Sequence, residues 1–150
     1  MTEQCGLRER LNKTLRYARK LEHDLERMEV LMAKATRANA PMEGDKVKTS
    51  VTNMHDVIVA AIADLDTQIE AERDYLDYLR EWNKLFFEES DLDKDELEVM
   101  MRRYVDCLEW DRIAELLYWS KRHVQRLHGT ALQKLVTRWH TMSHDVTRFL

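Results

Sequence analysis

The stretch Ser120–Leu132, SKRHVQRLHGTAL, carries Lys121, Arg122 and Arg126, two histidines and no carboxylate. The chain around it is net acidic, with 28 Asp+Glu against 24 Lys+Arg over 150 residues. The available chemistry is hydrogen-bond donation from cations and amides. Lys and Arg donate to guanine O6 and N7, Gln pairs with adenine, and a helix N-terminus with early cations meets a phosphate. A carboxylate on such a face would repel a polyanion, so its exclusion fits contact with double-stranded DNA.

The elements that must position these side chains follow from spacing. Counting from Ala114, apolar residues recur at Leu117, Trp119 and Val124, with Ser120 between them. This is helix-turn-helix spacing: a small Ala lets a second helix cross close to the first, an apolar turn residue fills the angle, and Ser caps the second helix. With Val124, Leu127, Ala131 and Leu135 turned inward, the outer face presents Lys121, Arg122, Gln125, Arg126 and Gly129. The candidate DNA-contact set is therefore Ser120, Lys121, Arg122, His123, Gln125 and Arg126.

Charge divides along the chain in the same sense. Residues 101–150 hold nine Lys/Arg against five acids, which leaves 15 against 23 for residues 1–100, and no carboxylate stands between Glu115 and Asp145. The basic C-terminal part is a local property of the sequence.

Ahead of the motif lie two long amphipathic patterns. Leu11, Thr14, Ala18, Leu21, Leu25, Met28, Met32 and Ala35 follow at steps of three and four, as do Ile58, Ile62, Leu65, Ile69, Glu72, Leu76 and Leu79. Between them Pro41 and Gly44 break the pattern, and Thr52 or Asn53 is placed to cap the second helix. Two such helices fold back as an antiparallel hairpin, since each apolar stripe needs a partner. A narrow stripe containing Thr14, Ala18 and Glu72 invites self-association, most simply as a dimer. After it, Asp93 and Glu96 have the spacing of a capping box, and three short apolar faces follow, at Leu97–Tyr104, Ile113–Leu117 and Val124–Leu135. The expected fold is all-α: residues 1–89 as a long antiparallel helical hairpin for interaction or oligomerisation, residues 90–150 as a small three-helix head bearing the helix-turn-helix.

Other chemistries find little support. Cys5 and Cys107 are far apart and form no CxxC pair, so a disulfide framework is not indicated and a reducing compartment is the simpler expectation. The longest apolar run, VIVAAIA, is too short to span a bilayer, and a cytoplasmic location is expected. His140 and His144 stand at i and i+4 without a third ligand, so no metal site and no cofactor is expected. His128 reads as a hydrogen-bonded core residue, and His123 as a possible phosphate neighbour only. Asp64, Asp66, Asp74 and Asp77 lie on a solvated helix face, and neither a phosphate-cradling glycine loop nor a GxSxG turn is present. An enzyme is not expected.

The segment WDRIAELLYWSKRHVQRLHGTALQKL resembles the helix-turn-helix of region four of bacterial sigma factors, and is more similar still to small phage and prophage transcriptional regulators of the ArpU/RinA-like, sigma-like type. GDKVKTS and MRRYV also look like signatures of that group, so the resemblance runs over nearly the whole chain. It implies a helical hairpin followed by a head whose second helix enters the major groove, and control of phage gene transcription, with DNA contact carried onto Ser120, Lys121, Arg122, Gln125 and Arg126. RNA polymerase is a further partner implied by the sigma likeness. Sigma-like turns commonly place Gly where this chain has Tyr118, which predicts either a different turn or a longer first helix. No sigma region two is recognisable. Two alternatives stay open: a small-terminase-like subunit that recognises DNA for packaging, and a coiled-coil adaptor that binds RNA polymerase without DNA.

Overall fold

Runs of Leu, Glu, Lys, Arg and Ala with few glycines favour helix over most of the chain, and a computed structural model bears this out. It describes the backbone of residues 2–38 and 48–148, and side chains within 6–37 and 54–142. Five helices follow in order: α1 Thr2–Ala38, α2 Lys48–Glu89, α3 Lys94–Tyr104, α4 Trp110–Leu117 and α5 Lys121–Arg148. Among the described residues there is no strand. Pro41 and Gly44 lie outside the described residues. Because α2 is already under way at Lys48, Thr52 and Asn53 fall inside its first turns instead of capping it. The third helix of the head is not short: α5 runs 28 residues and takes in most of the C-terminal TMSHDVTRFL.

The chain forms two units, residues 17–75 and residues 1–16 with 76–150. The division falls inside the two long helices and not at residue 89, where the sequence pattern changes from long to short helices. The reason is the placement of bulk. Leu7, Leu11 and Leu15 of α1 and Phe86 and Phe87 of α2 share one buried cluster with Met100, Tyr104, Ala131, Leu132, Leu135 and Val136.

Within residues 17–75, α1 and α2 pair antiparallel. Tyr17 meets Tyr75 edge-on with ring centroids 4.7 Å apart, Lys20 lies 3.3 Å from Glu72, and Gln68 donates to Asp24 at 3.4 Å. Further along, Met28 packs with Leu65 and Ile69. The seam differs from the one the apolar spacing predicts. Leu25 and Met32 are exposed, while Asp24 is buried and Leu31 packs at the seam. The buried face runs Leu21, Asp24, Met28 and Leu31, at steps of three, four and three, and a helix that turns this row and its polar layer inward cannot also turn Leu25 and Met32 inward.

In the other unit, a second cluster of Val99, Ile113, Ala114 and Val124 holds α3, α4 and α5 together. Buried polar groups tie the long helices to it. The Asn83 amide donates to Thr14 Oγ1 and to the Tyr104 carbonyl, both at 3.0 Å. Arg80 donates to the Val105 carbonyl, and Arg103 to the Leu108 carbonyl at 2.8 Å, so two guanidinium groups brace the α3–α4 connection. That connection contains Cys107 at φ 58°, and burial pushes its thiol pKa up.

Asp93 does occupy the N-cap of α3, but its side chain makes no cap hydrogen bond. The expected capping box is replaced by a longer-range arrangement. Glu96 is buried and accepts from Lys134 of α5 at 3.0 Å, with Asp93 3.8 Å from the same ammonium. A carboxylate committed to a cation of another helix is not available to its own backbone.

Candidate nucleic-acid interface

The turn between α4 and α5 is built as the spacing requires. Ala114 and Val124 are buried against each other's helices, with Leu117 and Trp119 packed around them. Trp119 N–H donates to the Ala114 carbonyl at 3.1 Å and Tyr118 N–H to the Glu115 carbonyl at 3.4 Å. This pair of bonds is the Schellman closure of a helix C-terminus. It requires a left-handed residue after the helix, and Tyr118 supplies it at φ 57°, ψ 36°. The turn is thus the one that normally carries glycine, with tyrosine accepting the strain, and α4 is not extended. A non-glycine residue in this region costs about 1 kcal/mol. Tyr118 is 95% exposed, so no packing offsets that cost.

Ser120 caps α5. Its hydroxyl accepts from the His123 N–H at 3.1 Å, and its carbonyl accepts from the Val124 N–H at the same distance. The register of α5 follows: Val124 fully buried, Ala131 and Leu135 below it, and Lys121, Arg122, Gln125, Arg126, Gly129 and Gln133 exposed on the far side. Lys121, Gln125, Gly129 and Gln133 step by four, as do Arg122 and Arg126, so the two adjacent rows form one stripe along the helix.

The candidate residues differ in their engagement. Arg122 and Gln125 are exposed on that stripe. Lys121 lies 3.2 Å from Asp111 of α4, with Asp111 84% exposed at its side chain; a surface ion pair of this kind is weak and exchanges readily. His123 is half-buried, stands edge-on to Trp119 with ring centroids 5.1 Å apart, and its Nδ1 accepts from Arg126 at 2.9 Å. It therefore holds Arg126 on the exposed face of α5. Beyond this stretch, the cations Lys134 and Arg138 of α5 are paired with Glu96 and Glu89 from other elements, contacts that spacing alone does not reveal.

Behind the stripe, His128 Nε2 lies 2.8 Å from the Tyr104 hydroxyl, and Trp110 packs edge-on against its ring. Burial, with the nearby Arg103 and Arg8 cations, lowers its pKa from 6.5 to about 4. The ring is neutral near pH 7 and accepts from the phenol, whose own pKa burial raises. Arg103 stacks over Trp110 at 4.6 Å. Trp82 stacks on Phe86 and meets Trp139 edge-on, and Arg10 covers its other face at 3.7 Å.

Among the described residues no group of three His, Cys, Asp or Glu side chains is arranged to hold a metal; the His144 side chain lies outside them. No described helix is long and apolar enough to cross a membrane. No protein-family model, curated protein or solved structure matches the chain.

Proposed function

We propose that this protein is a duplex-DNA-binding transcriptional regulator whose helix α5 lies in the major groove. The observation that carries the reading is the exposed, acid-free stripe of Lys121, Arg122, Gln125 and Arg126 on a helix that Ser120 caps within a helix-turn-helix. Arg122 and Gln125 are the base-reading candidates, with Arg126 placed for a phosphate and Lys121 able to leave Asp111 for another. The likeness to sigma region four and to ArpU/RinA-like phage regulators supports the same reading. Residues 17–75 are then the part through which two copies pair, and Leu25, Val30, Met32, Met54 and Val57, all exposed, supply apolar surface for it. A dimer reads two half-sites about one helical turn apart, or a multiple of that.

The decisive experiment is selection of bound duplexes from a random pool, followed by titration of the selected site with Lys121→Ala/Arg122→Ala/Arg126→Ala. The expected result is a recovered motif with two-fold symmetry and loss of binding in the triple variant with helicity retained. Unchanged binding by the triple variant defeats the assignment. Light scattering that finds a ring of many subunits favours a packaging role, and capture of RNA polymerase without duplex affinity favours an adaptor.

A further inference from the structure

Alongside the stripe, α1 and α5 enclose an open groove of about 340 Å³. Arg8 of α1 stands on one wall, Arg126 and Gln133 of α5 on the other, and Leu132 and Val136 form the apolar floor. No carboxylate is among the residues that line it. Thr130 borders the groove, but its hydroxyl donates to the Arg126 carbonyl, so the outward donors are two guanidinium groups and one amide. Arg126 uses one of its N–H groups on His123, and a guanidinium has five.

Gly129, which also lines this groove, is the second observation. It sits inside α5, where glycine costs about 1 kcal/mol relative to Ala. Its helix packing does not require it, because a Cβ added there meets no atom within 4 Å. The missing side chain instead leaves the α5 backbone open to a body approaching from outside, at the level of Arg8 and Arg126. On α1, Arg8, Asn12 and Arg16 follow at steps of four and are all exposed, so the cationic wall continues along that helix.

We propose that this groove receives a backbone phosphate of the duplex that α5 reads, with Arg8 and Arg126 closing on its oxygens from two helices and Gly129 letting the strand come close to α5. The inference rests on the DNA-binding reading and extends the interface to α1, outside the helix-turn-helix. Arg8 in this role positions the protein along the strand and contributes equally to every sequence.

The test is fluorescence anisotropy of the full chain with a labelled duplex across a series of KCl concentrations, using Arg8→Ala, Arg8→Lys, Gly129→Ala and Lys121→Ala/Arg122→Ala. Arg8→Ala should lower the slope of log affinity against log salt by about 0.9, the value of one phosphate contact. It should weaken specific and random duplexes by the same factor, roughly tenfold at low salt, and Arg8→Lys should restore the slope. Gly129→Ala should raise the melting temperature while lowering affinity, a combination that a purely structural glycine does not produce. Wild-type slope and affinity in Arg8→Ala and Gly129→Ala, with binding lost in Lys121→Ala/Arg122→Ala, overturns the groove and leaves the recognition helix standing. A reduced slope in Arg8→Ala with an inert Lys121→Ala/Arg122→Ala supports the groove and rejects the recognition helix. Absence of duplex binding by the wild-type chain overturns both.

Discussion

The two units of this protein are stabilised by different means. Residues 1–16 with 76–150 bury large side chains in two clusters, with Phe87, Leu7, Met100, Ile113, Val124 and Leu135 essentially inaccessible. Residues 17–75 bury Met28, Leu65 and Ile69, and otherwise face Asp24 and Glu72 toward one another through Gln68. The first unit has a core that fixes every helix by shape. The second is a two-helix contact whose centre is a polar layer, with one Glu72 oxygen buried and unpartnered. The acid-free stripe of α5 lies on the first, and Leu25, Val30, Met32, Met54, Val57 and Val59 are exposed on the second.

The largest expected effect breaks the first unit. Phe87→Ala removes a fully buried ring between α1, α3 and α5 and should cost about 3–5 kcal/mol in denaturant unfolding. If the two units are stabilised as described, amide exchange should speed up across 99–104 and 131–136 and stay unchanged across 60–72.

The pH dependence of the first unit comes next. His128 titrates at about 4 in the folded chain against 6.5 for an unperturbed histidine. A lowered folded pKa means the folded state favours the neutral ring, so this contribution is complete above pH 6.5 and is lost as pH falls from there toward 4. Its full size is on the order of 3 kcal/mol. Thermal melts across this range should decline for the wild type and lose most of that slope in His128→Gln. An equal slope in both would place the acid sensitivity elsewhere.

The polar layer of the second unit gives a smaller effect of opposite sign. Replacing buried charged groups by apolar ones of similar volume is often neutral or stabilising, by about 1–4 kcal/mol. Asp24→Leu/Glu72→Leu should therefore raise or preserve stability while relaxing the alignment of α1 on α2. Light scattering should then find a mixture of assembly states. A single unchanged species would mean the polar layer does not set the alignment.

The smallest effect concerns the turn. Tyr118→Gly relieves a left-handed tyrosine but loosens the unfolded chain, for a net gain of at most about 0.6 kcal/mol in calorimetry. Because Tyr118 is almost fully exposed, no lost packing confounds the reading.

The helix-turn-helix was legible because its information is local. Ala114, Ser120 and Val124 act within two turns of one another, and cap, crossing and buried face follow from their types. Tyr118 broke the residue-type rule but not the geometry, since the two Schellman bonds are made by backbone groups that any sequence possesses. The seam of α1 was less legible. Leu25 and Met32 fit the apolar period as well as Asp24 and Leu31 fit it, and hydrophobicity favours the former. Gln68 as the partner of Asp24 and Glu72 as the partner of Lys20 decided otherwise, over a separation in sequence that no period reports.

The sequence by itself determined that the chain is helical, where α5 begins, and which side of it is cationic, because caps and amphipathic periods are fixed by neighbours three and four residues away. Only the tertiary structure decided that Lys134 belongs to Glu96, that His128 is held neutral beneath Tyr104, and that Arg8 stands across a groove from Arg126. Those outcomes depend on which helices the bulky residues bring together, and burial acts between elements distant in the chain.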